Sequence, residues 1–183
     1  MLAGCIFFVV VGIAVPLLTV ARHEQRLQAA ASYLRARVML ARAEAARNGA
    51  AIGLRFAARD RGIDLRSYLD GNGNGVRTAD IRSGLDQPLD TEVRIGDLFG
   101  GVRFALSPAV PALAATSPAG AGADPVRLGA SDILTVTPLG TATSGTLYLR
   151  NQEGHQAAVR VLGATARVRI HRFDFQTWQW TTR

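Results

Sequence analysis

The pattern of apolar and polar positions divides the chain near residue 49. From Leu2 to Val20 there is no charged residue, and Phe7-Phe8-Val9-Val10-Val11 is the densest part of this run. A helix rising about 1.5 Å per residue needs some twenty apolar residues to cross a hydrocarbon core of about 30 Å. From Arg22 the composition changes but the helical period continues. Leu27, Ala30, Ala31, Leu34, Val38, Ala41 and Ala45 recur at three- and four-residue steps and form one apolar stripe. Arg26, Arg35, Arg37, Arg42 and Glu44 occupy much of the rest, and Asn48-Gly49 is a helix stop. Pro16, the one helix-breaker inside, reads as a kink. The pattern predicts one helix over residues 2–48, with residues 1–21 transmembrane and residues 22–49 amphipathic. The competing reading is a cleaved signal peptide before an ordinary globular helix. That reading requires a basic start and a short apolar core, whereas here the start is not basic and the run is long.

Beyond Gly49 the period falls to two. Ala51–Phe56 and Leu65–Leu69 predict two strands, and Arg59-Asp60-Arg61-Gly62 supplies a hairpin turn between them. Val93–Ile95 and Val102–Leu106 predict further strands. Residues 107–131, rich in Ser, Pro, Ala and Gly, predict a flexible surface loop. Ile133–Val136, Thr146–Leu149, Ala157–Leu162 and Ala166–Phe173 then read as an antiparallel meander. The expected fold class is α+β: a long amino-terminal helix, transmembrane then amphipathic, packed on an antiparallel β-rich domain at residues 50–183.

Charge sharpens this division. The chain of 183 residues carries a formal net charge of +7, and all its basic residues other than histidine are arginine. Residues 22–48 hold six Arg against Glu24 and Glu44, residues 49–149 nine Arg against ten acids, and residues 150–183 six Arg against Glu153 and Asp174. Two basic ends flank a near-neutral middle, a distribution that suits anionic partners at the ends. Cys5 is the only cysteine, so no disulfide can form within the chain. Leu2-Ala3-Gly4-Cys5 spells a lipoprotein box, but too few residues precede it to provide a lipidation signal.

Taken in order, these segments resemble the type IV pilin-like proteins, and among them the GspH/FimT family of minor pilins and pseudopilins. The resemblance is carried by Gly12–Pro16, Leu27–Ala31, Tyr68–Gly75, Gly163–Arg169 and most specifically by Leu40-Ala41-Arg42-Ala43-Glu44-Ala45-Ala46-Arg47-Asn48-Gly49. It implies a structural subunit of a type II secretion pseudopilus or a type IV pilus. Such a protein would sit in the bacterial inner membrane as a single-pass protein with a periplasmic carboxyl-terminal domain. Its partners would be other pilins or pseudopilins, met through the helix, and the inner-membrane assembly platform. The family's basic leader and Gly-Phe-Thr-Leu-Ile-Glu-type processing junction have no counterpart here. Counting back from Pro16, the processing site is expected upstream of Met1. Arg22 and Arg26 lie on the carboxyl side of the apolar run, and a basic leader upstream would restore the expected charge bias. A tethered domain that never assembles is the reading if that junction has been lost.

Two stretches are candidate sites. Asp70-x-Asn72-x-Asn74-Gly75 has the opening spacing of a calcium loop, with Asp80 near its close. The twelfth position is Ile81 rather than a bidentate glutamate, so a weak calcium site and a plain Asn-Gly turn both fit. In Ala166–Phe173 the arginines alternate with apolar residues. Arg167, Arg169 and Arg172, with Trp178 and Trp180 nearby in sequence, suit binding to a DNA backbone. The resemblance adds that some FimT proteins are DNA-uptake receptors using Gly-Arg-x-Arg, which here reads Ala166-Arg167-Val168-Arg169. The alternative is an edge strand protected by charge. The three histidines are scattered and no catalytic constellation is visible, so an enzyme is not expected.

Overall fold

A computed structural model describes the backbone of residues 2–182 and the side chains of residues 22–182. Helix α1 (Leu2–Asn48) is followed by β1 (Ile52–Arg59), β2 (Gly62–Leu69), helix α2 (Thr78–Ser83), β3 (Gln87–Pro88), β4 (Val93–Arg94) and helix α3 (Ile95–Leu98). Then come β5 (Arg103–Phe104), β6 (Val126–Arg127), β7 (Ile133–Val136), β8 (Gly145–Arg150), β9 (Gln156–Leu162), a 3-10 turn (Gly163–Thr165), β10 (Arg167–Asp174) and β11 (Gln179–Thr182). The strands form two antiparallel sheets. The first has the order β3-β2-β1-β7, with β4 also on β2; the second has the order β11-β10-β9-β8-β5, with β6 also on β8.

The helical period translates directly into packing. Leu27, Ala30, Ala31, Leu34, Val38, Ala41 and Ala45 are all buried, against Leu54 and Leu65 of the first sheet and Leu147, Val159 and Ile170 of the second. Four of these seven are alanines, whose small side chains let both sheets approach the helix axis. Burying one leucine of this stripe, such as Leu34, contributes about 1.5–3 kcal/mol.

Each sheet is also covered on its outer face. Tyr68 and Ile133 pack under Val76 and Ile81, and Tyr148, Ala158 and Phe173 pack under Leu106, Val110 and Ala112. The stretch 107–131, expected to be a flexible loop, is thus laid across the second sheet. The Trp180 indole N–H donates to the Pro111 carbonyl at 2.9 Å, and the Leu113 N–H donates to the Tyr148 hydroxyl at 2.9 Å.

The β1–β2 hairpin closes where expected, with Arg59 opposite Gly62. The meander differs. β8, β9 and β10 follow one another, but β7 leaves them and pairs with β1, Ile52 opposite Val136. Residues 137–144 let this strand cross to the other sheet. Of Val102–Leu106 only two residues are strand, and Val93-Arg94 leads into a helical turn at Ile95.

The membrane part of the expected fold is corrected, and with it the single-pass inner-membrane location. Among the described residues no helix is long and apolar enough to cross a membrane. The reason is visible in the described half of α1. Arg22, Glu24, Arg26, Arg35, Arg37, Arg42, Glu44 and Arg47 interrupt its surface, and its inner apolar stripe is covered by the two sheets. The transmembrane segment expected at residues 1–21 falls on side chains outside the described residues.

Candidate functional site

The strongest concentration of unpaired charge lies where β10 passes α1. β9 pairs with β10 from Arg167 to Arg172, whereas β11 pairs with it only from His171 to Asp174. The two-residue period turns Val168 and Ile170 toward the helix and its core, and leaves Arg167 and Arg169 exposed on the opposite face. On the flank of α1 beside this strand, Arg35, Met39 and Arg42 follow one another at four- and three-residue steps. Together these residues line a groove of about 750 Å³, and among the described residues no carboxylate takes part in it.

Arg169 also sits directly opposite Arg160 of β9, a like-charge pairing that costs stability unless an anion lies nearby. Among the described residues none of Arg35, Arg42, Arg160, Arg167 and Arg169 forms an ion pair. Burial holds the His171 imidazole below its ordinary pKa, and the charges of Arg160 and Arg169 lower it further. The groove therefore favours anions. Ala166, at the position where the Gly-Arg-x-Arg motif has glycine, adopts φ +48°, a left-handed conformation that glycine enters more easily.

Arg172 does not belong to this groove. Its place in the alternation turns it toward α1, where it pairs with Glu24, and it lines a separate cavity of about 570 Å³ with His155 and Phe175. The nearby aromatic residues cluster there too: Phe173, Phe175 and Trp178 pack edge to face, with ring centroids 4.9–5.8 Å apart. The sequence-predicted set of three arginines is split between two places.

The Asp70 loop is organised by backbone amides. The Asp70 carboxylate accepts N–H bonds from Asn72 (3.2 Å), Gly73 (2.8 Å) and Gly75 (2.7 Å). Asp86 accepts from Gly71 (3.2 Å) and Arg77 (2.9 Å), so two buried carboxylates pin seven residues of chain. Gly71 is required here, since a Cβ would stand 2.0 Å from the Leu85 carbonyl oxygen. The Asn72 side-chain amide donates to Asp80 at 3.4 Å, and the Asn74 N–H donates to the Asn72 side-chain oxygen at 3.3 Å. Asp70, Asn72 and Asp80 are thus brought close, but through bonds to one another and to the backbone. Among the described residues no group of three or more His, Cys, Asp or Glu is arranged to hold a metal ion.

A further ionic cluster fastens the helix to the first sheet. Arg37 of α1 pairs with Asp90, which also accepts from the Ser67 N–H and the Ser67 hydroxyl, each at 2.9 Å. Burial pushes the Asp90 carboxyl up. The Arg37 hydrogen bond, the two Ser67 bonds and the Arg37 charge outweigh it, and the carboxyl stays below its ordinary pKa.

Sequence reasoning missed Arg35 and Arg42 as groove residues, and Asp86 and Asp90 as organisers. Positions 35 and 42 are seven apart and share a helix face, which is a usable signal. Nothing local marks Asp86 or Asp90, whose partners lie 9–53 residues away. No family model, curated protein or solved structure matches this chain.

Proposed function

We propose that this chain is a structural subunit of a helical filament of the pilin-like kind, a minor pilin or pseudopilin that packs its long helix against those of other subunits. One observation carries the reading: the described half of α1 has a second face suited to helix packing. Diametrically opposite the buried stripe, Ala29, Ser32, Ala36, Leu40 and Ala43 are exposed and free of charge, with Met39 beside them. Leu40 and Met39 are 49% and 56% exposed, so this face offers apolar area on a backbone that a neighbouring helix can approach closely. The inner stripe is occupied by the chain's own sheets, so assembly falls to the outer one.

A subunit of this kind needs no catalytic centre, and the β-domain would lie on the filament surface. The test is site-specific photo-cross-linking in cells that produce the full chain. A cross-linker replacing Ala36 or Leu40 is expected to capture another long-helix subunit or a second copy, and one at the hairpin residue Arg61 is not. Equal capture at all three sites, or none at positions 36 and 40, overturns the proposal.

A further inference from the structure

Where β5 of the second sheet meets the β1–β2 hairpin of the first, the surface holds a small pocket of about 120 Å³. Ile63 of β2, Ile95 of α3, and Val102 and Phe104 at β5 give it an apolar lining. That lining is held in place from behind. Ile95 and Val102 are buried in the core, and Phe104 packs edge to face on Phe56 with ring centroids 5.6 Å apart. An apolar cavity of about 150 Å³ takes up benzene, so a pocket of this size suits a short branched hydrocarbon group.

The charged part of the lining is one-sided. Arg61, Arg94 and Arg103 line the pocket, and among the described residues no carboxylate does. Arg94 commits its terminal nitrogens to Asp64 at 2.8 Å and Asp97 at 3.7 Å. Its Nε–H is buried and has no acceptor among the described residues, an arrangement that costs stability until an acceptor arrives. Arg61 and Arg103 are exposed, and neither forms an ion pair among the described residues. Asp60, next to Arg61 in the hairpin turn, does not line the pocket. Arg103 also stands directly opposite Arg150 of β8, a like-charge pairing that a nearby anion would relieve.

We propose that this pocket binds a carboxylate carried on a short branched apolar group. The hydrocarbon would fill the space between Ile63, Ile95 and Phe104, and the carboxylate would meet the arginines. The planar guanidinium fork matches the two oxygens of a carboxylate, and one of those oxygens would give the Arg94 Nε–H its acceptor. The combination selects the ligand. A phosphate has no apolar part to fill the pocket, and a neutral hydrocarbon leaves the arginines unanswered. A free branched-chain acid and a leucine-like carboxyl terminus of a peptide present the same chemistry. The inference is independent of the filament reading, because no residue of α1 lines the pocket.

The experiment is a heteronuclear NMR titration of the full chain, following the backbone amides of Gly62 and Gly96, which also line the pocket. The probes are isovalerate, its neutral amide isovaleramide, a short peptide ending in Leu with a free carboxylate, and the same peptide amidated. Saturable shifts at both glycines are expected with at least one of the two carboxylates. Binding should weaken about tenfold or more on amidation, and by a similar factor in Arg61→Ala/Arg103→Ala, whose exposed positions leave the fold intact. Tighter binding of the peptide would identify a protein carboxyl terminus as the source and tighter binding of isovalerate a free acid; either order supports the site. Equal binding of acid and amide, unchanged affinity in the double variant, or no shift with either carboxylate overturns the proposal.

Discussion

Replacing Asp90 with alanine removes a carboxylate that ties α1 to the first sheet, and its consequence can be worked from the structure. Arg37 is 15% exposed and Asp90 25%, so the pair is largely but not wholly withdrawn from water. Asp90→Ala leaves the guanidinium facing Ser67 alone and deprives the Ser67 N–H and hydroxyl of their acceptor. Removing one partner of a fully buried pair costs about 3–5 kcal/mol. Partial exposure lowers the expected loss here to about 2–4 kcal/mol.

The pH dependence of this loss has a definite sign. The Asp90 carboxyl is held below its ordinary pKa in the folded chain, so its contribution is fully present above the unfolded value of about 3.9. It disappears as pH falls through the lower folded value. Urea unfolding of the full chain, followed by circular dichroism, should show the wild type well above Asp90→Ala at pH 7. The two curves should converge in strong acid. Arg37→Met/Asp90→Ala should lose less than the sum of the two single changes, because neither charge is then left without its partner. A loss below about 0.5 kcal/mol at pH 7, the range of an ordinary surface change, would refute the reasoning. So would a difference that persisted undiminished in acid.

Two further outcomes follow from local geometry. Gly71→Ala should destabilise by about 1–3 kcal/mol, because the new methyl must displace the Leu85 carbonyl; chemical denaturation measures it, and a neutral result would remove the requirement for glycine there. Trp180→Phe deletes the donor to the Pro111 carbonyl, at a cost of about 0.5–1.5 kcal/mol. Limited proteolysis should then cut between residues 107 and 125 faster than in the wild type, and an unchanged cleavage rate would mean that other contacts hold this stretch.

Local period made much of the framework legible. The three- and four-residue spacing of Leu27 to Ala45 identified the inner face of α1, and Arg59–Gly62 marked the first hairpin. Alternation in Arg167–Ile170 identified which arginines face solvent. The same alternation, carried on to Arg172, would have turned that residue toward the helix, because it is separated from Arg167 and Arg169 by odd numbers of residues. What the sequence left out is non-local. β7 finds β1 some eighty residues earlier, and Asp90 finds Arg37 across 53 positions. The Pro- and Ala-rich stretch after residue 106 carries no period, so its docking through Val110, Ala112 and the Trp180 indole could not be read from pattern. Arg35 and Arg42 looked like ordinary polar positions because their convergence with β10 depends on how the second sheet meets the helix. The apolar run at the start of the chain suggested a span, but among the described residues no helix is long and apolar enough to cross a membrane, and residues 22–48 have the amphipathic pattern that their period predicted.

The central claim is that α1 works through two opposed faces, one closing its own domain and the other meeting neighbouring helices. A cross-linker scanned residue by residue through Ala36, Arg37, Val38, Met39 and Leu40 tests this most directly. Capture of another subunit should peak at Ala36 and Leu40 and fall to background at Val38, which is 2% exposed beneath the sheets. Capture as strong at Val38 as at Leu40, or none anywhere along the helix, would contradict it.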